Sequence, residues 1–450
     1  MCYLLIISHL CQKVKMWYNI TMKKINTSPI SGMQELLPPA QAIFNNYKKE
    51  IAEAFHLHGF QNIETPTIDR NEVLFAKAGG DTEKQIYRVI KTDESAEDSD
   101  QSLRYDHTVP LARYIVEHES NLAFPFRVSQ IGRNFRGERA QKARFREFYQ
   151  CDVDVIGRGE LPLSYDAEII ATLVDALKAF KLPDIKVRVN NRKFLSGVLD
   201  FLGVADYATD IMGIIDHAEK VPAEKTIQNL RELTIPEETV VKITTFINVH
   251  GSTDELKKLD FLDFNDTRIA EGFAELEFVM NELNLLGLSD IAEADMKIVR
   301  GLDYYTGTVF ETNIPGYEQL GSICSGGRYD NLASNYTDQK FPGVGGSIGL
   351  TRLFAVLGEA GLLENAVSAP VDIAIMCLGD TRQPAYELAD KLRASGKSVD
   401  VILFDKKLGD LMRHASRIAK SGIVVGENEV KSGNFMLKDF ATGEQTPLEI

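Results

Sequence analysis

The stretch FPFRVSQIGRNFRGERAQKARFREFYQCDVDVIG, residues 124–157, constrains the fold more than any other part of the chain. Two extended, partly alternating runs at 127–136 and 145–157 flank a short basic connection at 137–144, a pattern that predicts an antiparallel hairpin. In the second run a period of two sends Cys151, Val153 and Val155 to one face and Phe148, Gln150, Asp152 and Asp154 to the other. The first face suits packing and the second a ligand. Arg127, Arg133, Arg136, Arg139, Lys142, Arg144 and Arg146 are opposed within the hairpin only by Glu138 and Glu147. Such a run is ordinarily a solvated face, but here it alternates with aromatic residues.

The formal net charge of -15 opposes a polyanion, so any nucleic-acid partner must be held by local basic surface such as this hairpin. At 450 residues and 44% hydrophobic content the chain has room for two or three domains with their own cores. Cys2, Cys11, Cys151, Cys324 and Cys377 are scattered and odd in number, which argues against a disulfide framework or a structural zinc site and fits a reducing cytoplasm. The apolar run at 3–8 is short, follows no positive charge and precedes no small-residue cleavage site, so it is not read as a signal peptide. No membrane span is expected. Met22, followed by Lys23 and Lys24, looks like a natural start, and residues 1–21 read as a disordered leader or upstream extension.

Apolar residues recurring at three and four predict a helix over 39–58, stopped by Gly59. The segment GFQNIETPTID reads as a strand whose Pro66 belongs at an edge or bulge, either a simple edge or one that pairs with a second subunit. Strands at 86–91 and 101–105 are joined by the acidic tip at 92–100, and a helix is expected over 109–117. Asp106, just before that helix, reads by itself as its cap rather than as a site residue. A helix over 166–180 and a strand at IKVRVNN follow, then a helical stretch without a catalytic signal from 193 to about 290. Strand patterns return at 296–311 and 321–330, where Gly326 and Gly327 make either a tight turn or a close backbone approach. PGVGGSIGLTRLF runs from a glycine-rich strand into a helix near Gly349, without the spacing of a P-loop or a dinucleotide fingerprint. Beyond Ala369, alternating strand and helix patterns predict a small α/β domain, hinged at Ser368 to Pro370.

Arg136, Arg300 and Arg352 supply planar, permanently charged donors for phosphate or carboxylate, and Asp106 and Asp154 supply negative charge for an ammonium group. With these residues in view the sequence resembles the histidyl-tRNA synthetases, a class II aminoacyl-tRNA synthetase family, over residues 29–450. GFQNIETP looks like motif 1 of the class, FRGERAQKARFREFYQCDVDVIG like motif 2, and GVGGSIGLTRLF like motif 3. VRGLDYYTGTVFE and SGGRYDNL resemble the two histidine-specific signatures.

The resemblance implies an α+β fold, a class II antiparallel sheet flanked by helices, with a helical insertion and a C-terminal α/β anticodon-binding domain. Its implied divisions are a catalytic domain at 22–192 and 294–362, an insertion at 193–293 and the anticodon-binding domain at 370–450. It implies activation of histidine with ATP, transfer to tRNA(His), Mg2+ with the ATP, a homodimer and a cytoplasmic location.

Carried over by motif, Arg136 would hold the α-phosphate and the histidine carboxylate. Phe148 and Arg352 would sandwich the adenine, Glu138 would read its edge, and Arg144 would meet the outer phosphates. Arg300, with Arg136 the implied catalytic pair, would support the α-phosphate and lie against the histidine. Asp106, Thr108 and Gln150 would clamp the α-ammonium and carboxylate, Asp154 and Tyr305 the imidazole, and Tyr304 and Tyr329 would complete the wall. Arg139 and Gln141 match positions used on the tRNA acceptor end. Thr351 stands where the family often carries a glutamate, so the metal ligands are unassigned. A related non-catalytic subunit of ATP phosphoribosyltransferase is expected to lack the VRGLDYY signature and the last domain, and both are present here. A tRNA-sensing module without activation is the other alternative, expected to have lost part of the set Arg136, Gln150, Arg300 and Arg352.

Overall fold

The computed structural model describes residues 25–76, 83–93, 99–139, 143–299, 304–317, 321–363 and 371–448. The expected leader, the hinge at Ser368 to Pro370, most of the acidic tip, Gln141 and Arg300 lie outside the described residues. The first helix, Pro38–Leu57, opens with proline at its first turn, where a missing N–H costs nothing, and buries Phe44, Tyr47, Ile51 and Phe55 along one stripe. The strand expected next divides in two, β1 (Gln61–Asn62) and β2 (Ile68–Arg70), and the two pieces join different sheets. Pro66 lies between them, where its missing N–H interrupts no ladder. β3 (Arg88–Val89) and β4 (Gln101–Leu103) pair antiparallel and form a three-stranded sheet with β2. The helix Thr108–His118 leaves from β4.

The opening stretch forms the expected hairpin. β5 (Phe126–Phe135) and β6 (Glu147–Ile156) pair antiparallel along their whole length. β7 (Lys186–Asn191), β8 (His250–Gly251), β9 (Ala292–Asp295), β10 (Thr308–Asn313), β11 (Cys324–Tyr329) and β12 (Gly343–Ile348) complete a nine-stranded sheet in the order β1-β5-β6-β12-β11-β10-β7-β9-β8. Within this sheet, among the described residues, only β1–β5 and β7–β9 pair as parallel strands. The strand expected over 296–311 is therefore shorter, since residues 296–299 and 304–307 are not strand. Gly326 and Gly327 stand in mid-strand opposite Gly346 and Gly345, so the close approach holds and the turn does not. A methyl group on Gly326 would meet the Gly345 carbonyl oxygen at 2.2 Å, and one on Gly327 the Tyr305 ring at 3.0 Å.

Cys151, Val153 and Val155 are fully buried on the packing face of β6, where the helix Ser164–Leu177 also packs. The stretch expected as an insertion is helical but not separate: its first and last helices, Arg192–Phe201 and Thr267–Leu285, share one core with the sheet. They cross at two glycines, because a methyl group on Gly197 would meet the Arg268 carbonyl oxygen at 1.8 Å and one on Gly272 the Phe194 nitrogen at 2.2 Å. Close packing at this crossing is joined by ion pairs from Lys193 to Glu271 at 2.9 Å and to Glu275 at 2.5 Å.

The last described segment forms its own five-stranded sheet, β14-β13-β15-β16-β17, from β13 (Val371–Cys377), β14 (Val399–Ile402), β15 (Ala419–Val425), β16 (Met436–Asp439) and β17 (Gln445–Pro447). Along β13 the period of two divides two cores, Ile373 and Ile375 packing with Leu388 and Leu392, and Ala374 and Met376 with Leu411 and Ala415. No helix among the described residues is long and apolar enough to cross a membrane.

Candidate active site

Strands β6, β12, β11 and β10 lie side by side, and one face of this array walls a cavity of about 1010 Å³. β6 contributes Phe148, Gln150, Asp152 and Asp154, the four residues that alternation assigns to its polar face. Asp106 and Thr108 enter from the start of the helix Thr108–His118, Glu138 and Arg144 from the hairpin connection, Arg136 from the end of β5, and Arg352 from the helix Leu350–Glu359. Tyr304, Tyr305 and Tyr329 close the wall. Of the expected site residues Arg139 is exposed and does not line the cavity.

One end of the cavity is acidic and buried. Tyr329 donates from its hydroxyl to Asp154 Oδ1 at 2.7 Å, and its ring stands edge-on to Tyr304 at 5.9 Å. Tyr304 in turn stands edge-on to Tyr305 at 5.1 Å and is hydrogen-bonded to Thr108. Burial pushes the Asp154 carboxyl up to about 8, with Asp152 and Asp106 adding repulsion against the pull of Tyr329. Asp106 is lifted to about 6, again chiefly by burial. Its Oδ1 accepts from the Val109 backbone at 3.0 Å, so it does cap the helix. Its Oδ2 is buried without a hydrogen-bond partner among the described residues. Both readings of Asp106 thus hold at once, one for each oxygen. An unpaired buried carboxylate oxygen on a cavity wall suits an entering cation.

The other end is basic and more open. The Arg136 guanidinium stands 5.1 Å over the Phe148 ring and donates from Nε to the Tyr105 carbonyl at 3.2 Å. Arg144 Nη1 lies 3.4 Å from Glu138 Oε2, a half-exposed pair that is cheap to open for a ligand. Thr351 turns away from the cavity and is 7% exposed. Its Oγ1 accepts from the Tyr149 backbone at 2.7 Å, which anchors the helix bearing Arg352 to the strand bearing Phe148. The position is therefore structural here.

Several lining residues lie beyond the assigned set. Asp152 stands on the ligand face that alternation predicts, with no role assigned to it by motif. Ser347 and Glu311 arrive only through the pairing of β12 with β6 and of β10 with β11. Thr209, Met212, Gly213 and Asp216 show that the helix Ala208–His217 walls the cavity. Nothing in that helix's own ordinary composition marks this role.

A mostly antiparallel sheet with its arginine-bearing hairpin beside a glycine strand that feeds an arginine-bearing helix is the plan of the class II aminoacyl-tRNA synthetases, and the protein falls in that class. A family model described as histidyl-tRNA synthetase matches residues 32–353, and one described as anticodon binding domain matches 372–450. The histidine–tRNA ligase of Clostridium acetobutylicum is 43% identical over 431 residues, 95% of this chain and 99% of that one. That of Xanthomonas axonopodis pv. citri is 41% identical over 449 residues, 94% of each chain. The crystal structure of histidyl-tRNA synthetase from Nostoc sp. PCC 7120 superimposes with a TM-score of 0.84 at 36% identity, covering 94% of this chain and 97% of that one. A Bacillus halodurans structure titled as an ATP phosphoribosyltransferase regulatory subunit/histidyl-tRNA synthetase, with a TM-score of 0.74 at 22% identity, shares the fold. The chain belongs to the histidyl-tRNA synthetase family.

Proposed function

We propose that the protein is a histidine:tRNA ligase. It joins histidine to ATP as histidyl-adenylate with release of pyrophosphate, then passes histidine to the terminal ribose of tRNA(His). The observation that carries this reading is the division of one cavity into a buried acidic end and an arginine-lined end, matched to a cationic amino acid joined to a nucleotide. The 43% identity with a curated ligase over 95% of the chain favours it over the regulatory subunit.

At the acidic end Asp106, Thr108 and Gln150 take the α-ammonium and carboxylate, and Asp154 with Tyr305 takes the imidazole, walled by Tyr304 and Tyr329. A histidine carboxylate oxygen attacks the α-phosphorus of ATP and the bond to the bridging oxygen of pyrophosphate breaks, with no proton to be moved. Arg136 and Arg300 hold the carboxylate and α-phosphate as charge develops, so positioning and fixed charge carry the catalysis. Arg144 takes the outer phosphates, Phe148 and Arg352 the adenine faces, and Glu138 its edge. In the second step the ribose hydroxyl attacks the adenylate carbonyl, its proton passes to the departing phosphate and AMP leaves, with Arg139 and Gln141 on the acceptor end. Mg2+ enters with ATP as part of the substrate, since such ions are held by phosphates and one or two carboxylates. Glu311 on the cavity wall would be one such carboxylate.

Histidine-dependent exchange of pyrophosphate into ATP is the expected result, with the other amino acids far slower. Folded protein supplied with Mg2+ that shows none would refute the ligase reading.

We also place the protein in the cytoplasm as a homodimer. Ile25, Ile30, Leu37, Leu57 and Ile68 are exposed, and so are both residues of the edge strand β1. Exposed apolar side chains and an exposed sheet edge are what an isologous interface covers. Sedimentation should give about twice the 50.2 kDa chain mass, and a monomer at micromolar concentration would overturn the assignment.

A further inference from the structure

We infer that Asp152 and Ser347 are positioning residues that fix which way the Gln150 amide faces, and so whether the site offers the amino-acid carboxylate a donor or an acceptor. The inference rests on the reading above that Gln150 belongs to the clamp on the α-ammonium and carboxylate, and gives it the carboxylate as its share.

Asp152 is 4% exposed and its two oxygens are both used. His107 Nδ1 lies 2.9 Å from Oδ2, and the Ser347 hydroxyl, opposite Asp152 in the β12–β6 register, donates to Oδ1. A carboxylate only accepts, so the single hydrogen of Ser347 is committed to Asp152. Ser347 Oγ is left with lone pairs, and Gln150 Nε2 donates to it at 2.8 Å. At the other end of the same amide, Asn134 Nδ2 donates to Gln150 Oε1 at 2.8 Å. One orientation satisfies both ends, whereas the flipped amide would set N–H against N–H and oxygen against oxygen. The second N–H of Gln150 is then directed to the cavity as a donor, the polarity a carboxylate needs. The chain of command starts in the core: His107 is fully buried, and opposite Gln150 stands Gly132, where a methyl group would come within 3.1 Å of His107 Nε2. Buried networks of this kind hold an orientation because turning one member strands its partners, although Asn134 Oδ1 and His107 Nε2 are themselves buried without a hydrogen-bond partner among the described residues.

Histidine-dependent pyrophosphate exchange by wild type, Ser347→Ala, Gln150→Ala and the double variant tests this. Ser347→Ala should raise the KM for histidine about tenfold and leave that for ATP within about twofold, and Ser347→Thr, which keeps the hydroxyl, should restore it. In the Gln150→Ala background Ser347→Ala should add no further loss, because the two act through one amide. Additive losses, or equal rises in both KM values, overturn the positioning role. Should Ser347→Ala fail to fold, Asn134→Ala, which frees the other end of the amide, carries the same expectation. Wild-type protein without histidine-dependent exchange defeats the ligase reading itself, a different outcome from additive losses in an active enzyme.

Discussion

Asp154→Asn is expected to lower histidine-dependent pyrophosphate exchange at least about a hundredfold while making the free protein more stable at pH 8. The two effects share one cause. Burial lifts the Asp154 carboxyl from 3.8 to about 8, so the free protein holds a proton there that the unfolded chain releases. Between about pH 4 and pH 8 the native state therefore binds more protons than the unfolded state, and this group's contribution makes stability fall as pH rises through that window. Below the window both states are protonated and the contribution is absent, and above it the full penalty is reached.

Asparagine is neutral throughout and its oxygen still accepts from Tyr329, so the penalty disappears. Complete conversion of the shift would be about 6 kcal/mol, and local relaxation together with burial of the amide leaves a gain on the order of 1–2 kcal/mol. Melting temperatures at pH 5 and pH 8 should show a gain for the variant that is larger at pH 8. Asp106, lifted to about 6, keeps a shorter slope of the same sign in both proteins. The same pH slope in variant and wild type would contradict the account. The cost in activity arises because an entering imidazole N–H is the partner that draws this carboxyl into its charged form, and the amide offers it no charge.

Asp166→Ala should cost about 3–5 kcal/mol of stability, read as a lowered melting temperature and urea midpoint. Asp166 is fully buried on the helix Ser164–Leu177, and Arg328 on β11 reaches it with Nε at 3.0 and 3.1 Å and Nη2 at 2.7 Å. Arg328 also donates to the carbonyls of Leu161 and Pro162 at 3.2 and 3.1 Å, so its fork ties the helix and the loop before it to the strand that carries Tyr329. Removing the carboxylate leaves a buried guanidinium hydrogen-bonded to carbonyls, with Asp330 and Glu275 acting on it more weakly than Asp166 did, and an undercompensated buried charge is far costlier than the pair's own net worth. Joint replacement, Asp166→Leu with Arg328→Met, should recover most of the loss. A single variant that falls by less than about 1 kcal/mol, or a double variant no better than the single, would show that the charge is not left undercompensated as described.

The legibility of the site follows the range of the interactions that build it. The alternation of Phe148, Gln150, Asp152 and Asp154 is a property of consecutive residues on one strand, so it reads directly from the chain and survives in the cavity wall. Pro66 marks a break in a strand, but the sequence does not say that the pieces go to different sheets. Asp106 reads as cap or ligand because the backbone N–H it caps is local, whereas the unpaired oxygen is visible only against the far wall. Thr351 reads as a missing carboxylate until the strand beside it supplies the Tyr149 N–H.

Periodicity, capping and motif spacing thus settle which faces are polar, where the hairpin turns and which family the chain resembles, because each is carried by neighbours along the backbone. The partnership of Gln150 with Ser347, separated by 197 residues, and the approach of the helix Ala208–His217 to the cavity depend on strand order and helix packing. Those are set by how whole elements bury their apolar faces against one another, a many-body balance that no local pattern contains.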